Sequence, residues 1–416
     1  MDKTDVLVIG GGVIGVCAAH YLQKRGVSVT LVEKGEIASG ASYGNAGWVV
    51  PSHSIPLPTP DAVKNGLKWM LNPSSPFYIK PRIDLDLFSW LLRFALAARH
   101  EPMHRAIPVL RDLNIASRHL FDALAAMPGL SFDYRQKGML MVYHSAEGYA
   151  GAKHEAEVLH GYDLRCELLS KDQTLAMSPL LKPDLLGGLF FPDDAHMNPA
   201  LFVRNLAAHA QAQGAKILTH TEVTGFDVDA NAIKTVKTSN GEIEAQQVVL
   251  AAGAWSPLMA KQLPKQLRLP VQPGKGYSVT MTRPANAGEI PIGLAEARVV
   301  ATPMQHSLRI AGTMELGGLN LDKNQRRVDA IVRAARDHFV GLEHVEMTEV
   351  WQGLRPCTPD GLPVIGRAPH LDNLILATGH AMMGLSLGPI TGKLVAQLAC
   401  GEKPEIDLGL LKAERF

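Results

Sequence analysis

Residues 5–33 read DVLVIGGGVIGVCAAHYLQKRGVSVTLVE, and their folding dictates the architecture around them. Residues 5–9 are a continuous apolar run of strand type, residues 16–24 show helical spacing, and Gly26 closes that segment. Residues 27–32 form a second strand-like run that ends at Glu33. Between the first strand and the helix, Gly10, Gly12 and Gly15 spell G-x-G-x-x-G. In such a junction Gly10 permits a tight turn, Gly12 lets the backbone approach a pyrophosphate, and Gly15 lets the helix close on the strand. The unpaired N–H groups and positive dipole of the helix start then face phosphate charge. Glu33 arrives 18 residues after Gly15, where a carboxylate can bind both ribose hydroxyls. Strand, turn, helix, strand and acid in this order predict a dinucleotide-binding unit. The acid argues against NADP, whose extra phosphate it would repel, while NAD and FAD both stay open on this motif.

The same stretch is apolar enough to imitate an export signal. Asp2, Lys3 and Asp5 do not make a basic leader, glycines interrupt the apolar run, and no small-x-small cleavage site follows. Val16 before Cys17 excludes a lipoprotein signal. No other segment reaches the roughly 18–20 uninterrupted apolar residues of a membrane span. The expectation is an unexported, cytoplasmic chain that does not cross a membrane.

Composition narrows the classes further. A chain of 416 residues predicts two or three domains, and 41 Lys+Arg against 40 Asp+Glu leave no electrostatic footprint for nucleic acid. The cysteines, Cys17, Cys166, Cys357 and Cys400, form neither a metal nor a disulfide pattern, so no metal is expected. Of 38 glycines, nine lie in residues 1–50 and eight in residues 353–401, two clusters far apart in the chain.

Beyond Glu33, residues 35–47 (GEIASGASYGNAG) form a small-residue loop that suits a cofactor extending past the pyrophosphate, which favours FAD. Seven prolines in residues 51–82 forbid a long helix and predict an irregular crossing. Residues 84–128 read as two helices broken near Pro102 and Pro108. The bulky patch Trp69, Met70, Leu71, Phe77, Tyr78, Leu87, Phe88, Trp90, Leu91, Leu92 and Phe94 is either inter-domain core or a surface for a membrane or quinone. Residues 132–143 read as a strand pair and 146–161 as a helix. Asn198-Pro199 opens a helix that Gly214 stops. Residues 216–228, 232–238 and 243–250 read as three strands, the last two joined by a hairpin at Ser239-Asn240-Gly241. The third ends in AAGAW (251–255), where small residues again admit a ligand. Residues 270–315 read as β structure, 325–339 as a helix and 345–366 as strand and turns.

Near the C-terminus, residues 353–366 read GLRPCTPDGLPVIG; a strand at 373–377 then leads into TGHAMMGLSLGP (378–389) and a helix closed by Gly401. The loop before this helix cradles negative charge well, as an anionic reduced flavin requires. With VVLAAGAWS at 248–256, these motifs and the N-terminal stretch resemble the amino-acid-oxidizing FAD family, which includes D-amino-acid dehydrogenase, glycine oxidase and sarcosine oxidase. The proline-rich stretch with GLKWM (66–70) resembles its bacterial D-amino-acid dehydrogenase branch.

The resemblance implies an α/β fold: a discontinuous Rossmann-like FAD-binding domain (1–82, 146–262 and 345–416) and a substrate domain of mixed β-sheet plus helices (83–145 and 263–344). It places Gly10, Gly12, Gly15 and Glu33, with Lys34 beside it, on the adenosine diphosphate. Ser39, Ser42, Asn45 and Gly47 fall beside the flavin, Val223 near the adenine, and Gly253 along the cofactor. Gly379, Gly384, Leu385, Ser386 and Leu387 belong to the C-terminal cofactor loop. Arg355 resembles the arginine that pairs with the substrate carboxylate, and a guanidinium fork suits that task; its alternative is an ion pair with Asp360. Tyr277 either hydrogen-bonds the same carboxylate or packs in the core, and His380 orients its loop or acts as a base. Met382 stands where glycine oxidase has a second arginine, which implies a more apolar substrate pocket. Cys357 lies off the place where sarcosine oxidases tether flavin, which implies noncovalent FAD. The implied reaction is oxidative deamination of a D-amino acid to an imino acid, then a 2-oxo acid and ammonia. Alternatives are a cyclic imino acid such as cis-4-hydroxy-D-proline, a glycine/sarcosine-type oxidase, and a flavin-bearing assembly subunit without turnover. Electrons would pass to a quinone or another electron-transfer partner, with peripheral contact at the inner face of the membrane.

Overall fold

The computed structural model describes residues 2–60, 62, 77–263 and 267–416. Two large sheets organise the chain. In the first, Asp2–Ile9 pairs in parallel with Val29–Val32 on one side and Gly241–Leu250 on the other. Lys216–Leu218 extends it beyond Val29–Val32, and Leu374–Thr378 adds a further parallel strand beside Gly241–Leu250. These strands are nearly all apolar because helices cover them; Val13–Gln23 buries Val13 through Leu22 against Pro199–Ala212 and Gly388–Ala399. The hairpin Ala232–Thr238 to Gly241–Leu250 turns through Ser239-Asn240. The stretch read as one strand over 216–228 is two, Lys216–Leu218 and Val223–Asp229, because His220 takes a positive φ (51°) between them.

The second sheet runs, in spatial order, Met347–Cys357, Gln272–Thr282, Ser307–Leu316, Val299–Pro303, Ile292–Leu294, Met139–Tyr143, Gly187–Phe191 and Glu167–Ser170, with Phe77–Ile79 beside Ser307–Leu316. Four of these strands, Phe77–Ile79, Glu167–Ser170, Gly187–Phe191 and Met347–Cys357, come from segments expected in the cofactor half. The expected strand pair over 132–143 is one strand, Met139–Tyr143; Arg135 contributes only a bridge to His196. A two-stranded sheet, Trp48–Val49 with Ala195–His196, ties the two halves together.

Two helices follow the proline-rich segment, but their break falls at residues 98–99, between Leu85–Ala97 and His100–Ala125. Pro102 sits in the first turn of the second helix, where no N–H is missed. Pro108 lies inside it, tolerated because Ala106, Ile107, Leu110 and Leu113 are buried around it. Of the bulky patch, Trp69, Met70 and Leu71 lie outside the described residues. In the rest, the helix Leu85–Ala97 divides its apolar side chains. Leu87 and Trp90 are buried with Leu91 and Phe94 packed beside them, whereas Leu85, Phe88, Leu92 and Leu96 are exposed. Among the described residues no helix is long and apolar enough to cross a membrane.

Candidate active site

A cavity of about 1180 Å³ is walled by both sheets, the 39–57 segment and the C-terminal glycine loop. Its first wall is the G-x-G-x-x-G turn. Gly10 has φ +115°, and a Cβ there would lie 2.5 Å from the Ala251 carbonyl oxygen. A Cβ on Gly15 would lie 1.9 Å from the Gly10 oxygen, so its absence lets the helix seat on the strand. A Cβ on Gly12 meets only Ser42 Oγ, at 3.4 Å, leaving bare backbone at the cavity. Ser42 Oγ accepts a hydrogen bond from Val13 N (2.9 Å), while the helix-start N–H groups as a set lack intrahelical acceptors.

Glu33 is held by two backbone donors: Gly11 N to Oε2 at 2.7 Å and Gly35 N to Oε1 at 2.9 Å. Each carboxylate oxygen keeps a further lone pair for a hydroxyl. Thr221 N donates to the Glu33 carbonyl (2.8 Å), bringing Thr221, Glu222 and Val223 beside this acid at the cavity wall. Lys34 Nζ stands 4.2 Å from the Trp255 ring centroid, and both residues line the cavity. The bare backbone at Gly12, the held acid and the long apolar space fit a flavin adenine dinucleotide.

Of the other cofactor-loop residues, Ser39, Asn45, Gly253, Gly384, Leu385 and Ser386 line the cavity. Gly15, Gly47, Gly379 and Leu387 stand behind it. A Cβ on Gly47 would lie 2.2 Å from the Met197 oxygen, and one on Gly379 2.6 Å from the Thr358 side chain; Leu387 is fully buried in a core cluster. Asn45 Oδ1 accepts from Gly47 N (2.9 Å), shaping the loop. Ser386 Oγ accepts from Val50 N (3.1 Å) and donates to Asn114 Oδ1 (3.1 Å), joining the C-terminal loop to the 48–50 segment and the 100–125 helix.

Arg355 sits on Met347–Cys357 opposite Gly274, with Gly276, which faces Gly353, two residues along the paired strand. A Cβ on Gly276 would fall 2.0 Å from Arg355 Nη1, so the glycine makes the space the guanidinium occupies. Nη1 donates to the Thr313 carbonyl at 3.0 Å. Among the described residues no carboxylate pairs with it, and burial lowers its pKa. The alternative partner, Asp360, is taken by Arg415, Nε to Oδ2 at 2.6 Å. The Arg355 charge therefore faces the cavity with no counter-ion in contact among the described residues.

Tyr277 lines the cavity, but its hydroxyl is engaged elsewhere: it donates to Glu315 Oε2 (3.5 Å) and accepts from Asn324 N (3.2 Å). With Lys275 and Arg327 around Glu315, and with burial pushing its phenol up to about 12, Tyr277 is part of a buried polar cluster. At the cavity wall its hydroxyl is thus bonded on two sides within that cluster. His380 is buried, and its Nε2 shares a hydrogen bond with Thr391 Oγ1 at 3.0 Å. Burial pushes it down to about 3, and the bond to Thr391 ties its loop to the last helix. Cys357 is buried against the Arg355 oxygen and away from the cavity lining. Among the described residues no group of three His, Cys, Asp or Glu side chains could hold a metal.

Two wall-builders escaped sequence reading. Trp351 fills the space of two absent side chains: Cβ atoms on Gly44 and Gly353 would fall 2.1 and 2.0 Å from its ring. Arg309, buried, donates from Nη1 to the Tyr43 and Asn45 oxygens (3.0 and 3.1 Å) and so pins the 43–45 loop. A Trp and an Arg inside strand-like runs carry no local signal of such partners.

A two-sheet flavoprotein of the kind that oxidises small carbon–nitrogen substrates is the class this fold and cavity define. The family model described as FAD dependent oxidoreductase matches residues 5–398, and the chain belongs to that family, among its amino-acid oxidoreductases. It is 35% identical over 420 residues to a D-amino acid dehydrogenase of Paramagnetospirillum magneticum, covering 99% of this chain and 98% of the relative. It is 33% identical over 421 residues to a D-amino acid dehydrogenase of Chromohalobacter salexigens, covering 99% of each. Among solved structures, glycine oxidase from Geobacillus kaustophilus superposes with a TM-score of 0.81 at 26% identity, over 100% of both chains. FAD is the cofactor, and the reaction is FAD-dependent oxidation at an amino or imino group.

Proposed function

We propose that this chain is a dehydrogenase of D-amino acids with apolar side chains. The observation that carries the reading is Arg355, a guanidinium with no carboxylate partner among the described residues, facing a cavity also lined by Trp90, Leu91, Phe94 and Met314. An unpaired buried cation is costly, and a bidentate substrate carboxylate satisfies it. These apolar neighbours, together with Met382, half exposed at the cavity, suit aliphatic or aromatic groups. The preference for the D configuration rests on the relatives.

Bound FAD supplies the acceptor for the hydride that leaves Cα. The protein's part is positional: Arg355 fixes the carboxylate and thereby the direction of Cα–H, and the apolar wall excludes water. Neutral His380 holds the C-terminal loop through Thr391. Anaerobic flavin bleaching across D- and L-amino acids, glycine, sarcosine and both hydroxyproline epimers tests the reading. D-alanine or a larger apolar D-amino acid should bleach the flavin fastest. Bleaching by L-isomers, by glycine or by cyclic imino acids alone overturns it, and no bleaching by any favours an assembly subunit.

The electron acceptor is proposed to be a membrane quinone, with the chain on the cytoplasmic side. Leu85, Phe88, Leu92 and Leu96 form one exposed apolar stripe on the helix whose other side chains Leu91 and Phe94 line the cavity. A stripe of this kind suits an interfacial helix. Flotation with liposomes, and reoxidation of the reduced enzyme by a soluble quinone faster than by oxygen, are the expected results; Leu92→Glu should abolish flotation.

A further inference from the structure

The same cavity exposes a hydrogen-bonded chain that the steps above do not use. His53 lines the cavity. Its Nδ1 is 2.9 Å from Ser52 Oγ, and Ser52 Oγ donates to Asp194 Oδ2 at 2.5 Å. Ser52 N donates to the other Asp194 oxygen at 3.1 Å. The short sheet pairing Trp48–Val49 with Ala195–His196 sets the chain, since it brings Asp194 against the turn at 51–54. Ser52 has one hydroxyl proton. Given to Asp194, it leaves Ser52 Oγ as acceptor and Nδ1–H of His53 as donor, so Nε2 carries the lone pair. Nε2 makes no hydrogen bond to the described residues and is not sealed off. The segment continues to Leu57, which packs with Trp90 and with Cys357, two residues beyond Arg355. The His53 ring meets the Trp48 ring edge-on, centroids 5.7 Å apart, and both line the cavity.

We infer that His53, Ser52 and Asp194 form a proton relay that takes up the proton of the substrate ammonium and delivers the neutral amine that hydride loss requires. The inference rests on the amino-acid reading above. The substrate nitrogen gives its proton to His53 Nε2, and Nδ1–H passes to Ser52 Oγ. The Ser52 hydroxyl proton moves to Asp194, which changes from carboxylate to acid. No electrons move in this step, and the proton leaves by the reverse path after turnover.

The surroundings support that direction. Asp194 is 1% exposed and has no ion pair among the described residues. Burial raises it to about 7 despite the Ser52 donors; Asp193 adds to the rise, and Arg118 opposes it. An acceptor near 7 is a better proton sink for an ammonium than an ordinary aspartate. Burial lowers His53 to about 4, with Arg298 acting in the same sense, so it passes a proton on rather than storing it. The competing role for Asp194 is to shape the 51–54 turn.

Asp194→Asn keeps an acceptor for Ser52 N while its NH2 group, facing Ser52 Oγ, can accept neither the hydroxyl's bond nor its proton, so it separates the two roles. In the full-length holoenzyme, flavin reduction by the best D-amino acid is followed from pH 6 to 9 by stopped flow. The wild-type rate should rise with pH through about 7 as Asp194 becomes carboxylate. Asp194→Asn and Ser52→Ala should fall tenfold or more and lose that rise, with FAD content and Tm unchanged, and Ser52→Thr should restore it. A second readout needs no turnover. Affinity for 2-aminoisobutyrate, which has no Cα–H, should strengthen with pH through about 7 in wild type, where ionised Asp194 takes the amine's proton, and should lack that rise in Asp194→Asn, read by calorimetry. Variants that keep the wild-type pH dependence of both rate and affinity overturn the relay. Wild-type flavin that no amino acid reduces overturns the functional reading instead.

Discussion

Arg355 and Asp360 stand close in sequence, and pairing them is a natural reading of GLRPCTPDG. The fold separates them by giving Asp360 to Arg415 from the C-terminal end, 55 residues away. Arg355→Ala should therefore cost about 2–5 kcal/mol of substrate binding, the penalty of removing one partner of a desolvated charge pair. Binding of an unreactive carboxylate to the oxidised flavoprotein checks it. Gly276→Ala is a finer probe. The added Cβ, 2.0 Å from Arg355 Nη1, displaces a side-chain tip rather than backbone. KM should rise at least tenfold while Tm and FAD content hold, read by steady-state kinetics and thermal unfolding. Neither the glycine nor Thr313, which also positions the guanidinium, has a sequence signal, because strands far apart in the chain bring them together.

At the scale of elements, the glycine turn was legible because its demands are local. A Gly15→Ala methyl would press on the Gly10 carbonyl and push the helix from its strand, an overpacking that typically costs 1–3 kcal/mol. FAD affinity and Tm should fall together. Ser42 acts on the same helix from a loop: Ser42→Ala removes the acceptor for Val13 N and should lower stability by about 0.5–2 kcal/mol, measured by denaturant unfolding of the FAD-free chain. Sequence reading placed Ser42 beside the flavin but had no means of assigning it this capping bond. The helix breaks were misplaced for a related reason. Pro108 signals a stop, yet burial of the residues around it carries the helix through to Ala125.

For the whole molecule, buried histidines set the response to acid. His20 and His196 are buried, and burial lowers each to about 4; His380 falls to about 3. In the unfolded chain each returns to about 6.5, so the unfolded state binds more protons between pH 6.5 and 4. Stability is thus present above 6.5 and is lost as pH falls toward 4. Asp194, raised to about 7, and Glu155, also raised by burial, act in the opposite sense over part of this range, against His20, His53, His196 and His380. Tm should drop steadily from pH 6.5 to 4, and His196→Gln should flatten the drop; an unchanged Tm across that window contradicts the account. Much of this molecule was written in short range. The βαβ unit, its acid, the small-residue loop and the C-terminal glycine loop follow from strand and helix periodicity and from backbone that tolerates no Cβ. The composition of the cavity wall was not. Trp351 against Gly44, Arg309 under the 43–45 loop, Tyr277 turned to Glu315 and Asp194 behind Ser52 are contacts between residues remote in the chain. Such contacts depend on strand order and register across two sheets, which local propensity does not encode.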